Sequence, residues 1–215
     1  MVHNISRNEA LNVVFLRRRA VLALPVTALN SRSGFGVGDV RALDAFFAWM
    51  AESGLSVLQL LPLGDLGPGD SCPYAGLSAL ALDALTLVDP LAVPELRGRA
   101  SVDGALREAE PLRRKRRVPF EAARALKRRL LEGSFGSFER SAAPASKEAF
   151  GRFCGANGDW LADYALFRAL KEESAWAPWE TWEAGVRDRR PDALEAAGAR
   201  LARAVRFHEW LQWTA

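Results

Sequence analysis

Apolar residues in the first part of the chain follow the pattern of a strand, a helix and a second strand. Residues 21–26 form a short apolar run, and residues 57–63, with the sequence VLQLLPL, form another that is apolar on both faces except at Gln59. Asp39 is placed to cap the helix between them, and Gly54 to end it. This arrangement predicts two parallel strands joined by a right-handed crossover. The apolar stripe of the helix consists of Val40, Leu43, Phe47 and Met50.

Helical periodicity dominates the second half of the chain. Helices are predicted over residues 118–131 and 147–153, with a turn at residues 133–136 between them. Another helix ends near Lys171, and Asp192 is placed to cap the last one. The pattern therefore predicts two β/α elements followed by a mostly helical subdomain.

The loop after the second strand carries the candidate chemistry. The strand breaks at Gly64 into a stretch rich in Gly, Pro and Asp that leads to Ser71, Cys72 and Tyr74. Barrels of β/α units build their sites from loops at the carboxyl ends of the strands. A tyrosine offers a flat apolar face, while loop amides and hydroxyls offer directional hydrogen bonds, which together suit a sugar. The alternative is that Tyr74 is an ordinary core tyrosine.

Four ordered segments resemble the 4-α-glucanotransferases, the amylomaltase or disproportionating-enzyme family. The first is RAVLALPVTALNSRSGFGVGD at residues 19–39, and the second joins LLPLG to CPYAGLSALALDAL within residues 60–85. The third is DWLADYALFRALKEESAWAPWETW at residues 159–182, and the fourth is FHEWLQW at residues 207–213. The resemblance runs from about Arg19 to the end of the sequence.

The resemblance implies an α/β fold, the N-terminal part of a (β/α)8 TIM barrel with a mostly helical inserted subdomain. On this interpretation, residues 1–18 are a leader and residues 19–89 are the first barrel elements with the loop of a glucan cleft. Residues 90–215 are then a mainly helical subdomain that leads to the next barrel strand. A complete barrel typically needs about 250 residues, which agrees with a partial one here.

The resemblance also implies the chemistry. The family transfers α-1,4-glucan segments between maltodextrins by a retaining double displacement, without metal or organic cofactor. Its aspartate nucleophile, glutamate acid/base and second aspartate are expected beyond this chain, so no catalytic residue is assigned within it. The substrate-binding candidates are Tyr74, Ser71 and Cys72, although Cys72 stands where the family usually has a serine and is the weaker donor. The alternative is a catalytically dead relative that acts as an α-glucan-binding module.

Composition favours no other class of protein. The net charge of +3 is mild, and the basic run at residues 113–117 is more typical of a solvated surface than of a nucleic-acid site. Two cysteines and two histidines form neither a disulfide framework nor a metal pattern. No apolar run approaches the roughly 20 residues of a membrane span, and cytoplasm is the expected compartment.

Tryptophans and glycines leave further alternatives open. Trp176, Trp179 and Trp182 are either a packed helix–loop corner or a platform for stacking glycans. Trp210 and Trp213 are expected to pack against strands that this chain does not contain. Residues 36–39 lack the lysine and the spacing of a phosphate loop, so we interpret their glycines as a tight turn.

Overall fold

The computed structural model describes residues 19–96 and 100–215; the predicted leader at residues 1–18 lies outside the described residues. Strands β1 (Val21–Leu24) and β2 (Val57–Leu60) pair in parallel, with Val21 opposite Val57. Helix α1 (Ala42–Glu52) connects them, which confirms the predicted strand–helix–strand unit. Both strands are shorter than predicted, because Pro25 and Pro62 lack the N–H that would extend the ladder.

Apart from loops, the rest of the described chain is helical. Three 3-10 helices accompany the α-helices: Val26–Ala28 after β1, Pro94–Leu96, and Trp179–Thr181. The α-helices after α1 are α2 (Ala84–Leu87), α3 (Ala100–Arg113), α4 (Phe120–Ser141), α5 (Pro144–Ala156), α6 (Leu161–Glu173), α7 (Ala184–Arg187), α8 (Pro191–Arg200) and α9 (Ala202–Thr214).

Helices α4 and α9 form the centre of the core. Their packing shows that two of the sequence predictions are wrong. The predicted turn at residues 133–136 is wrong, since α4 runs through it without a break. Glycine in a helix costs about 1 kcal/mol relative to alanine. Burial of Phe135 and Phe138 against α9 outweighs that cost, because Phe135 lies 5.6 Å from Trp210 between ring centres. Trp210 is fully buried and Trp213 packs on Phe138, so the expected dependence of both on absent strands is also wrong.

The predicted last helix is two helices. Helix α8 ends at Arg200, and α9 begins at Ala202 after a turn at Leu201. Asp192 lies in the first turn of α8, and Arg190 occupies the capping position, so Asp192 is not the cap. Its carboxylate instead pairs with Arg190 at 2.9 Å, which still places negative charge at the helix N-terminus.

The turn at residues 36–39, before α1, packs closely against other parts of the main chain. Gly36 has a φ of +86°, and a Cβ there would come within 2.6 Å of the Cβ of Leu112. A Cβ on Gly38 would lie 2.1 Å from the carbonyl oxygen of Val26. The turn therefore requires glycine for close approach, and it seats Phe35 in the core with no exposed surface. Asp39 is buried beside the amides of Arg41 and Ala42, and burial raises the pKa of its carboxyl group despite the nearby Lys127.

The apolar stripe of α1 is only partly covered. Met50 is buried, while Val40 and Phe47 are each about half exposed. The boundary at residue 89 stays a prediction, and residues from both sides of it, such as Phe35 and Leu131, contribute to one core.

Candidate functional site

A cavity of about 410 Å³ lies at the carboxyl ends of β1 and β2. Its apolar wall comes from the residues that follow both strands and from Val118 and Phe120 at the start of α4. Parallel strands end at the same edge of a sheet, so the loops that follow them meet there. The polar groups that line the cavity are Thr27, Ser71, Asp83, Thr86 and Arg117.

The three sequence-predicted residues take different places on the loop after β2. Ser71 lines the cavity, whereas Cys72 is exposed and is not among the lining residues. The amide of Ala75 donates to the carbonyl of Cys72 at 3.0 Å, closing a turn that presents Tyr74 at its tip. Tyr74 is 72% exposed, so it is not a core tyrosine. Tyr74 does not line the cavity, although its neighbour Pro73 does. An exposed ring is available to a ligand, and the sugar-binding role of all three residues stays a proposal.

Main-chain hydrogen bonds close the base of this loop. The amide of Asp65 donates to the carbonyl of Ala81 at 2.9 Å, and the amide of Leu77 donates to the carbonyl of Asp65 at 2.7 Å. The amide of Asp83 donates to the carbonyl of Leu63 at 2.9 Å. Residues 64–83 thus form a loop with joined ends, which limits the entropy that ligand binding must remove.

Arg124 on α4 holds the same loop from beneath. Its guanidinium donates to the carbonyls of Gly67 at 3.3 Å and Asp70 at 2.8 Å, and to the Thr86 hydroxyl at 3.2 Å. A further N–H lies 2.7 Å from the carboxylate of Asp83, and both charged side chains are nearly buried. A planar guanidinium fixes several acceptors at once, so this residue sets the path of the loop.

Lys127, one turn after Arg124, is fully buried and donates to the carbonyl of Thr86. Burial lowers the pKa of Lys127 to about 8, although the neighbouring carboxylates of Asp39, Asp83 and Asp89 oppose that change. The positive charge of the lysine therefore partly compensates the negative charges of three carboxylates beneath the cavity.

A second buried network supports the start of the loop from α6. Arg168 Nε lies 3.2 Å from Asp65 Oδ2, and both side chains are almost fully buried. Burial raises the pKa of Asp65 to about 6, even though Arg168 and a hydrogen bond from Tyr164 act in the opposite direction. Burial and the Asp65 carboxylate also raise the pKa of Tyr164.

Gln212 on α9 holds the other end of the loop. Its Oε1 accepts from the amide of Leu82 at 2.9 Å, and its Nε2 donates to the carbonyl of the same residue at 2.9 Å. The side-chain amide thus pairs with Leu82 as a neighbouring strand would. Nε2 also lies 3.4 Å from the Tyr164 hydroxyl, which links this contact to Asp65.

Glu172 joins the helices below this network. Its carboxylate accepts two hydrogen bonds from Arg128, at 2.6 and 2.8 Å, and lies 3.3 Å from His208 Nε2. Burial raises the pKa of Glu172, but the hydrogen bonds from Arg128 and the close approach of His208 outweigh that effect, so the net pKa is well below the usual range. Burial lowers the pKa of His208 despite that carboxylate.

In both the basic run and the tryptophan cluster, some residues are packed against the protein and others are exposed. Within the basic run, Arg113 is partly buried and donates to the carbonyl of Gly34 at 2.9 Å, Arg117 lines the cavity, and the residues between are solvated. Trp176 stacks over Arg168 at 4.7 Å, and Trp182 packs against Phe167 at 5.7 Å. Trp179, the third tryptophan of the cluster, is about half exposed.

Within residues 19–96 and 100–215, no group of His, Cys, Asp or Glu side chains is arranged to hold a metal ion. None of the helices in that part of the chain is both long enough and apolar enough to span a bilayer.

The parallel β/α unit and the loop-lined cavity at its strand ends are arranged as in the site of an α/β barrel. The sequence matches the 4-alpha-glucanotransferase family over residues 24–215. The chain therefore belongs to the 4-alpha-glucanotransferase family. The 4-alpha-glucanotransferase of Synechocystis is 37% identical over 199 residues, which are 92% of this chain and 38% of that relative. The enzyme of Thermus thermophilus is 36% identical over 198 residues, with the same two shares.

Solved structures confirm the fold class. The amylomaltase from Streptococcus agalactiae in complex with acarbose has a TM-score of 0.73 at 22% identity, over 92% of this chain and 39% of that one. The amylomaltase from Corynebacterium glutamicum has a TM-score of 0.71 at 20% identity, over 95% of this chain and 28% of that one. The chain thus spans less than two fifths of the length of these relatives and structures.

The residues that sequence reasoning missed all lie on helices far along the chain from the loop. Arg124, Arg168 and Gln212 are separated from their loop partners by 41 to 130 residues. Arg168 and Gln212 fall within two segments that resemble the family, at residues 159–182 and 207–213, which was the available signal.

Proposed function

We propose that the protein is a 4-α-glucanotransferase, which moves α-1,4-glucan segments from one maltodextrin to another. The observation that carries the proposal is the family match over residues 24–215, joined to a cavity at the carboxyl ends of two parallel strands. In this chemistry a carboxylate nucleophile forms a glycosyl-enzyme with retained configuration, and the 4-hydroxyl of another glucan then replaces water as the acceptor. The catalytic carboxylates are not assigned within residues 1–215.

This chain contributes the wall of the glucan cleft. Tyr74 provides an exposed aromatic face at the loop tip, and Ser71 is a hydroxyl-bearing residue in the lining of the cavity. Cys72 is the weakest of the three candidates, because a thiol is a poor donor and its side chain is exposed outside the cavity. The cytoplasmic location expected from the cysteine content belongs to the same proposal.

Transfer by the protein encoded in the open reading frame that contains this chain tests the function. We expect it to disproportionate maltotriose, and we expect Tyr74→Ala to lower kcat/KM by roughly 5- to 150-fold, the equivalent of about 1–3 kcal/mol of aromatic contact. Tyr74→Phe keeps the ring face and should stay near wild type. Leu80→Ala, at a residue of the same loop that is 63% exposed, is the matched control.

Thin-layer chromatography and coupled glucose detection measure the transfer. The absence of transfer by the wild-type protein would contradict the function. Unchanged kinetics in Tyr74→Ala would contradict the site assignment alone. Melting temperatures of all variants should agree closely, because these side chains are mostly exposed.

A further inference from the structure

Packing does not account for Trp179. Its neighbours in sequence have structural partners, since Trp176 covers Arg168 and the Trp182 indole donates to the Ser174 hydroxyl at 3.2 Å. Trp179 lies in the 3-10 helix Trp179–Thr181 and is 49% exposed. Its ring forms part of the wall of a cavity of about 270 Å³ between α6, α7 and α8. This cavity shares no lining residue with the one at the strand ends.

The charged residues at the rim of this cavity form neutral ion pairs, which favour an uncharged ligand. Asp163 and Arg189 form an ion pair across it at 2.7 Å, and Arg187 pairs with Asp188 at 2.7 Å. The two pairs offer carboxylate acceptors and guanidinium donors with no net charge. Because each pair is neutral, neither an anion nor a cation gains a net attraction at the rim, whereas a neutral molecule with many hydroxyls can use both the acceptors and the donors.

The apolar wall of the cavity complements this rim. Phe167, Leu170 and Trp182 line it together with Trp179. An aromatic face next to a few polar groups is the arrangement that binds a ring with one apolar face and hydroxyls at its edge. Ligand pockets usually enclose about 300–1,000 Å³, so this smaller cavity suits a short portion of a longer chain.

The segment that carries Trp179 is fixed in place. The non-glycine residues Ala175, Trp176 and Arg189 have positive φ values of 48°, 66° and 58°, and they bracket it. Such conformations cost about 1–3 kcal/mol each and persist only where surrounding contacts impose them. Lys171 Nζ provides such contacts by donating to the carbonyl of Trp176 at 3.2 Å and to that of Ala177 at 2.7 Å. The main chain that carries Trp179 is therefore ordered before a ligand arrives.

A second hollow of about 280 Å³ adjoins the first. The two share Leu170, Trp182 and Val186, and the second also presents Ser174 and Thr181. The second hollow is the more polar of the two, since Glu173, Glu183 and Arg200 also line it. Adjoining hollows suit a ligand built from repeating units.

We propose that Trp179 is the platform of an accessory binding site for α-glucan chains, separate from the cavity at the strand ends. The geometry selects a neutral polyhydroxylated chain, and the identification of that chain as α-glucan rests on the proposed function. The site holds the body of a long glucan while one end of it reacts elsewhere.

Glucan binding by the intact protein tests the proposal. Titration calorimetry with maltoheptaose and electrophoresis in gels that contain glycogen both measure it. We expect Trp179→Ala to weaken binding at this site about tenfold, and Trp179→Tyr, which keeps an aromatic face, to retain most of it. Trp49→Ala is the matched control, because Trp49 is 48% exposed on α1 and lines neither cavity, and its binding should equal that of wild type.

Transfer kinetics separate this inference from the proposed function. Trp179→Ala should raise KM for glycogen more than KM for maltotriose. Equal glycogen retardation of Trp179→Ala and wild type, or no retardation of either, would overturn the accessory site even where maltotriose transfer is intact. Loss of retardation in Trp179→Ala from a protein without transferase activity would support the site and contradict the function.

Discussion

The helical part and the sheet part of this chain differ in how completely they bury their apolar residues. Around α4 and α9, Trp210, Leu131 and Phe135 have almost no exposed surface. On the two-stranded sheet and α1, Val21, Phe47 and Trp49 are each about half exposed. Because apolar burial is the main favourable term in folding, most of the stability of the described structure comes from the helices.

This difference explains how the candidate site is held. The loop of residues 64–83 begins at the sheet, yet its buried side-chain anchors come from helices: Arg124 on α4, Arg168 on α6 and Gln212 on α9. A two-stranded sheet is a marginal support for a loop, whereas a packed helical core is a rigid one. The helical part therefore acts as the scaffold of a site whose cavity opens at the strand ends.

The largest expected effect comes from replacing one tryptophan in each part of the chain by alanine. Trp210→Ala should lower the free energy of unfolding by about 3–5 kcal/mol, because it leaves a cavity among Phe135, Phe138 and Phe207. Trp49→Ala should cost about 1 kcal/mol or less, since half of its surface already faces solvent and its aromatic contact is with Phe46. Urea denaturation followed by circular dichroism measures both.

Equal losses in the two variants would contradict the comparison and would mean that the exposed face of α1 is covered in solution. Sedimentation of the wild-type protein would then show whether a second copy covers it.

Local pattern predicted the strand–helix–strand unit well, because those elements are defined by neighbouring residues. The same reasoning failed at residues 133–136, where two glycines read as a turn and the aromatic contacts of α4 keep the chain helical. It also failed for Trp210, whose partners on α4 are about 70 residues away in sequence and cannot be deduced from spacing.

For the site, the sequence located the loop and its exposed Tyr74, because turn residues and a preceding strand are local signals. It did not locate Arg124, Arg168 or Gln212 as the supports of that loop. Buried pairings of charged and amide side chains depend on which helix faces reach the loop, and only the folded chain shows this.

The buried carboxyl group of Asp65 provides a test of intermediate size. Its pKa is raised from 3.8 to about 6, so the folded protein binds this proton more tightly than the unfolded chain does. The contribution of Asp65 to stability is therefore greatest below about pH 4, falls as the pH rises to about 6, and is constant above that. The fall should approach 3 kcal/mol, at about 1.4 kcal/mol per pKa unit.

Denaturant unfolding of wild type and Asp65→Asn at several pH values measures this contribution as a difference. The difference should fall between about pH 4 and pH 6. Tyr164→Phe removes a hydrogen bond that lowers the pKa of Asp65, so the same fall should extend to higher pH in that background. A difference that is flat across this range would contradict the raised pKa, and would mean that Arg168 and Tyr164 fully offset the effect of burial on Asp65.

The smallest effect on stability, and the most specific one, is expected at the far end of the loop. Gln212→Leu removes both hydrogen bonds to Leu82 and leaves its main-chain amide without this partner, while its carbonyl still accepts from the amide of Ala84, at a cost of about 1–3 kcal/mol. Gln59→Leu makes the same exchange on the exposed side of β2 and should be nearly neutral. Hydrogen exchange should show faster amide exchange in Gln212→Leu at residues 64–83 and unchanged protection in α4. Uniform loss of protection throughout the protein would assign Gln212 to general packing, whereas loss confined to the loop identifies the helical core as the support that positions Tyr74.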